Sequence, residues 1–459
     1  MRLFSSRSEV GEQAGDRAWL RAMLDFEGAL AGALADAGLA DAAVAEEIAA
    51  ACAGGDWDLD ALGTGTARDG TPVPALLAQL RPQLSEEARA VLHRGATSQD
   101  VADTAAMLVA KRALVPLLAD LAAAGDAAAA LADRHRGDLA AGRTLLQQAL
   151  PITFGLRAAG WLGGLDDAAA RLTAVRDERL AVQFGGAVGT LASLCDAAGS
   201  PGSPATGRGA SRDGFAVAEA LARRLGLAAP PAPWQTNRSR TVELAAALGQ
   251  AAGAAGKVGT DVVLLAQTEV GEAAEGGGGG GSSTLPQKRN PVAAVTAVAA
   301  ARRTPGLVAT MLAAMPGEQE RAAGAWQSEP ETLSGLLRLT GVGVAAVRGL
   351  LEGLEVFPGR MRANLGLSDG LIMAESLAGA LGAKLGRARA QDLVGEATKR
   401  AGAAGQSLAE AAAAAPEIVE ALGSDGIAAA LDPAAYLGRT DELIDRAIAA
   451  HRRGKVTPT

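Results

Sequence analysis

The chain has 459 residues, 49% of them hydrophobic but only 3% aromatic, and it carries a formal net charge of -8. That length leaves room for two or three domains, and a core built from Ala, Leu and Val favours close-packed helices over sheets. The acidic balance argues against a nucleic-acid partner held by phosphate neutralisation; two cysteines, Cys52 and Cys195, and three histidines without ligand spacing argue against a zinc site.

The N-terminal stretch has no apolar signal core, and no apolar run reads as long as a membrane span. A cytoplasmic protein without a membrane partner is the expectation. Residues 16–39 show apolar residues at helical spacing, with Gly38 near the end. The Gly-, Thr- and Pro-containing segment 58–77 reads as a link between helices. Long helical tracts follow at 101–135, 151–181 and 241–274, each far above the average helix of about 11–12 residues. Segments 200–214 and 227–234 read as loops, and 292–314 and 329–355 as further long helices. After 356–370 the helices shorten. The expected fold is all-α with three domains: an N-terminal helical domain over 1–100, a long central bundle over 101–355 and a C-terminal helical domain over 356–459.

The densest chemistry lies in "EGGGGGGSSTLPQKRNP", residues 275–291. Ordering each glycine costs more backbone entropy than ordering any other residue, so such a stretch suits a lid that closes on binding. Pro286 and Pro291 then restrict the chain. Asn290 followed by Pro291 reads as an N-cap and first helical position, which predicts free N–H groups and positive potential beside Lys288 and Arg289. An anionic substrate fits that pattern. A P-loop does not, because the lysine spacing and the preceding strand are missing. A Ser-Lys hydrolase remains an alternative, although no nucleophile elbow is apparent.

"GSSTLPQKRNP" resembles the GSSxMPxKxNP signature of the fumarase/aspartase superfamily, with Leu285 in place of Met. Members make or break a C–O or C–N bond β to a carboxylate, through a carbanion stabilised as an aci-carboxylate. The resemblance implies that Ser282 is the catalytic base and that Lys288 and Asn290 bind the carboxylate and stabilise the carbanion, with Ser283 and Thr284 contacting substrate. "HRGATSQDVADTA", 93–105, is similar to the superfamily's HxGxTSxDxxDT motif and implies substrate contacts from His93, Thr97, Ser98 and Gln99. "GRTLLQQA", 142–149, is similar to GRTHxQxA, adding Arg143, Thr144 and Gln147. Leu145 stands where many relatives carry a histidine.

Within the superfamily the chain most resembles bacterial 3-carboxy-cis,cis-muconate cycloisomerases, through "TFGLRAAGWL", "QFGGAVGTLASL", "PWQTNRSR", "GAWQSE", "LGRARAQDLV" and "DPAAYLG". These enzymes form a lactone by adding a substrate carboxylate across its own double bond. Gln235 and Gln391 replace the histidines usual in that pattern, Ser239 replaces an aspartate and Pro330 a tryptophan. Glutamine keeps hydrogen bonding but exchanges no proton near neutral pH. A β-elimination lyase releasing fumarate, of the nitrosuccinate or adenylosuccinate type, is therefore the alternative; a non-catalytic structural descendant is another. Gln235, Arg238 and Arg321 complete the expected binding residues, since di- and tricarboxylates need several cations. The resemblance further implies a homotetramer whose active sites are assembled from three subunits, working without metal or organic cofactor.

Overall fold

The computed structural model describes residues 8–194, 214–277, 285 and 288–456, and these form an all-α fold. Its long elements are α1 (Asp16–Asp36), α2 (Ser98–Arg134), α3 (Phe154–Ala174), α4 (Ser239–Leu265), α5 (Val292–Ala313) and α6 (Glu329–Glu352), with α7 (Thr440–Val456) near the C-terminus. Among the described residues the strands form two antiparallel pairs: β1 (Leu139–Thr144) with β2 (Gln147–Thr153), and β3 (Ala273–Glu275) with β4 (Leu354–Val356).

Small residues set how closely the helices approach. A Cβ on Gly249 would lie 2.8 Å from Val308, and one on Gly256 only 2.4 Å from the Ala301 methyl. Further along the same pair, a Cβ on Gly259 would meet the Ala294 carbonyl at 2.7 Å. The descending partner numbers show α4 and α5 running antiparallel. Close backbone approach of this kind replaces the aromatic packing that the composition lacks.

The chain divides into two compact units. The first contains Met1–Leu121, Ala168–Gly256 and Ala299–Ala345; the second contains Ala122–Asp167, Lys257–Val298 and Ala346–Thr459. In the first, α1 packs on the helix Ala42–Ala53, where Gly28 faces the Ala49 backbone, and on Gly214–Leu225, whose Arg224 pairs with Asp36. In the second, Leu377, Leu381, Leu393, Leu408, Ile418 and Ile427 build a C-terminal core. The chain-end histidine His451, which reads in the sequence as a bland tail residue, is buried: its Nδ1 lies 2.7 Å from Asp166 and its Nε2 3.3 Å from Asp126. Those contacts pin α7 to α2 and α3.

Three expectations need correction. Segment 58–77 is not a plain link: it folds into helices Leu59–Asp69 and Val73–Leu80, because Gly65 lets the first pass close to Ala75. The tract expected over 151–181 begins as strand β2 and turns helical only at Phe154, after the hairpin has closed. Two segments, Ser98–Arg134 and Trp326–Glu352, are long and apolar enough by length and composition to cross a membrane, contrary to the reading that no run approaches that length. Alanine raises their hydropathy without adding bulk, so they are suited equally to close helix packing.

Candidate active site

In the first unit the "HRGATSQDVADTA" loop and the start of α2 organise a buried polar network. Asp100 accepts hydrogen bonds from Gln183 Nε2 at 2.9 Å and from the backbone N–H groups of Thr97, Gly185 and Gly186 at 3.0, 3.2 and 2.9 Å. Burial pushes its carboxyl up to about 6, while these four donors pull the other way. Thr104 exchanges two hydrogen bonds with the Gln183 backbone, and the Gln183 side chain accepts the Trp234 N–H. The stretches 93–105, 183–186 and 233–240 are thereby fixed to one another.

Gln99 is fully buried. Its amide donates to Asp103 at 3.1 Å and to the Gln235 carbonyl at 2.8 Å, and its oxygen accepts from Arg321 Nε at 3.2 Å. Arg321 also donates to Thr97 Oγ1 at 3.1 Å and to the Ala187 carbonyl at 2.9 Å. Gln235 donates to the Gly186 carbonyl at 2.7 Å, and beside its side-chain oxygen Gly189 takes φ 82, a conformation that strains any other residue.

Arg238 is 4% exposed and bonded to both Asp103 and Glu329, over the face of Trp234. Burial favours the neutral form, but the two carboxylates outweigh it and hold the guanidinium above its ordinary range. Trp326 Nε1 donates to Asp103 at 3.0 Å and closes the cluster. Of the expected substrate contacts, Gln99 and Arg238 are thus committed to protein partners here. Thr97, Arg321 and half-buried Ser98 stand at the helix start, Arg321 being exposed. His93 lies on the same loop, its Nδ1 2.7 Å from the buried Glu27.

The second unit holds the remaining motif residues. Strands β1 and β2 pair Thr144 with Gln147, both exposed, so Leu145 and Leu146 form a two-residue hairpin loop. Both lie in the left-handed region, with φ of 51 and 64, and are 97% and 69% exposed. Arg143 grips the fully buried Glu272 through two hydrogen bonds of 2.9 and 2.6 Å, and Asn364 adds a third of 2.8 Å. Burial raises the Glu272 carboxyl, but Arg143 and Asn364 more than reverse this and hold it below the usual range.

Lys288 is exposed and Asn290 half-buried. Ser282, Ser283 and Thr284 lie outside the described residues. Two glycines of the run have an explanation beyond entropy: a Cβ on Gly276 would lie 2.2 Å from the Gly353 carbonyl, and Gly277 has φ 77. The free helix start expected after Pro291 is corrected by the structure. The Ala293 N–H donates to the Glu275 carboxylate, and Arg289 is tied to Glu355 and the Glu275 carbonyl.

Sequence reasoning missed the carboxylates that hold these side chains: Glu27, Asp100, Asp103, Glu272 and Glu329. Asp100 and Asp103 sit inside a quoted motif at i and i+3, a usable signal. Glu27 and Glu272 lie outside the quoted motifs and have other acidic residues close by in sequence, Asp25 for the first and Glu269 and Glu275 for the second, so nothing local singles them out.

Comparison with known proteins follows the same outline. Residues 2–306 match the family described as Lyase, and residues 370–447 match Adenylosuccinate lyase C-terminus. The chain is 44% identical over 441 residues to a 3-carboxy-cis,cis-muconate cycloisomerase of Pseudomonas aeruginosa, covering 95% of this chain and 93% of that protein. It is 40% identical over 444 residues to a nitrosuccinate lyase of Streptomyces davaonensis, covering 96% and 92%. The crystal structure of 3-carboxy-cis,cis-muconate lactonizing enzyme from Pseudomonas putida superposes with a TM-score of 0.88 at 40% identity, over 97% of each chain.

Proposed function

Because the chain belongs to the fumarase/aspartase superfamily of lyases, we propose that it is a cycloisomerase acting on 3-carboxy-cis,cis-muconate. The observation that carries this reading is its similarity to cycloisomerases along nearly the whole chain, 44% over 441 residues. A substrate carboxylate oxygen adds to the alkene carbon β to a second carboxylate, and the electron pair moves into that carboxylate as an aci-carboxylate. Lys288 and Asn290 hold the developing charge, and Ser282 returns the proton to the α-carbon, giving the lactone. Fixed donors aimed at charge that develops in the transition state are the usual source of large rate gains. Thr97 and Arg321 bind a further carboxylate; Arg143 and Gln235 keep the surrounding loops in register.

An ultraviolet time course with 3-carboxy-cis,cis-muconate tests the reading. Loss of diene absorbance with the wild type, and none with Ser282→Ala, is the expected result. No loss with either protein overturns it in favour of the second reading, β-elimination to fumarate. That reading draws on the nitrosuccinate lyase relative and on Gln235, which is buried, bonded to the Gly186 carbonyl and unable to exchange a proton. Fumarate appearing from nitrosuccinate identifies it.

The working unit we propose is a cytoplasmic homotetramer with sites assembled from three subunits. Support comes from apolar side chains left on the surface of one copy: Val115 is 62% exposed, Val295 52% and Leu312 50%, along with the Leu145 tip. Light scattering gives the mass. Activity restored by mixing two inactive variants, Ser282→Ala and Thr97→Val, tests site sharing.

A further inference from the structure

Glu27 lies inside α1 and its side chain is completely buried. One carboxylate oxygen is 2.7 Å from His93 Nδ1, while the other has no hydrogen-bond partner among the described residues. A buried carboxylate with one oxygen unpaired is costly, and an apolar side chain at this position would avoid that cost. Position 27 sits among apolar neighbours on its own helix, Met23, Leu24, Leu30 and Ala31, so nothing local asks for a charge.

His93 is also placed at some cost. Its backbone has φ 61, in the left-handed region that side chains other than glycine rarely adopt. The imidazole is 17% exposed, and Nε2 has no hydrogen-bond partner among the described residues. A ring clamped through Nδ1 to a buried anion has its tautomer and orientation set by that anion, which leaves Nε2 as the edge for a ligand. The same loop carries Thr97, which accepts a hydrogen bond from Arg321.

We propose that Glu27 is the positioning residue for His93: its buried carboxylate holds the Nδ1 proton, so that Nε2–H is presented as a charged donor to a substrate carboxylate. This rests on the carboxylate-substrate reading of the site and deepens it. The other charged groups facing the ring are Asp100, on α2, and Arg81, which follows the helix Val73–Leu80. Burial opposes the charged ring most strongly and Arg81 opposes it too, but the hydrogen bond and charge of Glu27, with Asp100, outweigh them and raise the imidazole above its ordinary value.

Because the chain has only three histidines, resonances of selectively labelled imidazoles in the intact protein can be assigned with His93→Asn and followed against pH. In the wild type, His93 titrates above the free-histidine range with Nδ1 protonated throughout. In Glu27→Gln, which keeps shape but loses charge, the midpoint falls, because the hydrogen bond to an anion and the charge that raise it are gone. Glu27→Asp recovers part of the shift. Calorimetry with propane-1,2,3-tricarboxylate, which needs no turnover, shows weaker binding in Glu27→Gln at pH 7.

An unchanged His93 titration in Glu27→Gln overturns the proposal, and so does a shifted titration with unchanged affinity. If both readouts move while the wild type turns over neither 3-carboxy-cis,cis-muconate nor nitrosuccinate, the Glu27–His93 pair stands and the reading of the reaction falls.

Discussion

Glu275 accepts the backbone N–H of Ala293 through both carboxylate oxygens, at 3.2 and 3.0 Å, so the first turn of α5 already carries a negative charge. A substrate anion held by Lys288 and Asn290, as proposed, would share this helix end with the protein's own anion. Glu275→Gln keeps a hydrogen-bond acceptor but removes the charge. It should lower stability by about 0.3–1 kcal/mol, the usual value of an acidic group at a helix start. The same change should tighten binding of a tricarboxylate by roughly two- to fivefold at low ionic strength. Thermal melts and calorimetry check both halves; affinity that stays constant or weakens would show that substrate does not approach this helix end.

The Asp103–Arg238–Glu329 cluster makes a different prediction. Removing the cation leaves two buried carboxylates uncompensated, so Arg238→Met should cost about 3–5 kcal/mol, the range for breaking a buried ion pair. Arg238→Lys should recover little, because one ammonium cannot reproduce the two-sided fork. Denaturant midpoints measure this. Were Arg238 chiefly a substrate ligand, Arg238→Met would fold with near wild-type stability and lose only binding.

How much of this was legible in the sequence follows from where each signal is stored. The helices Asp16–Asp36, Val292–Ala313 and Glu329–Glu352 match their expected tracts closely, because apolar periodicity and the Gly and Pro stops are local. Thr97 and Arg321 were recognisable as a motif residue and a cation, yet their hydrogen bond spans more than 200 positions in the chain, which no local pattern encodes. The same holds for Glu27 and His93, separated by 66 residues. The β1–β2 hairpin was missed for another reason. A tight two-residue turn is usually announced by Asn-Gly or a similar pair, whereas here Leu145 and Leu146 occupy it against their conformational preference.

That strained tip gives a third prediction. Leu146→Gly relieves a left-handed φ of 64 at a side chain already 69% exposed. The isolated hairpin should be stabilised by up to about 1 kcal/mol, the usual cost of a non-glycine residue in this region. If the tip inserts into another copy, the gain is reversed in the assembled protein and the proposed tetramer dissociates at lower denaturant. Melting temperature as a function of protein concentration separates the two outcomes.

Helix packing can be tested with two glycines that differ only in surroundings. Gly256→Ala would place a methyl 2.4 Å from that of Ala301, too close for either helix to ignore. It should cost about 1–3 kcal/mol, as overpacking of a tight contact does. Gly395, inside the helix Arg387–Ala404, has nothing within 4 Å of the new methyl. Gly395→Ala should instead gain up to about 1 kcal/mol from helix propensity. Opposite signs for the same chemical change would establish the glycine contact as the cause, and equal shifts would rule it out.

Cys52 supplies the pH-dependent prediction. It is 1% exposed, and burial, helped by the nearby charge of Glu27, pushes its thiol up to about 12. The folded state therefore holds this proton more tightly than the unfolded chain, whose thiol titrates near 9. Below pH 9 both states keep the proton and the difference has no effect. Above pH 9 the unfolded chain loses it while the folded chain does not, so stability falls as pH rises towards 12. In a Cys195→Ser background, a thiol reagent at pH 8 should leave the native protein unlabelled and modify one cysteine on denaturation. The denaturant midpoint should then decline between pH 9 and 10.5, and adding Cys52→Ala should remove part of that decline. Rapid labelling of the native protein at pH 8 would mean that the α1 region opens far more readily than its packing indicates.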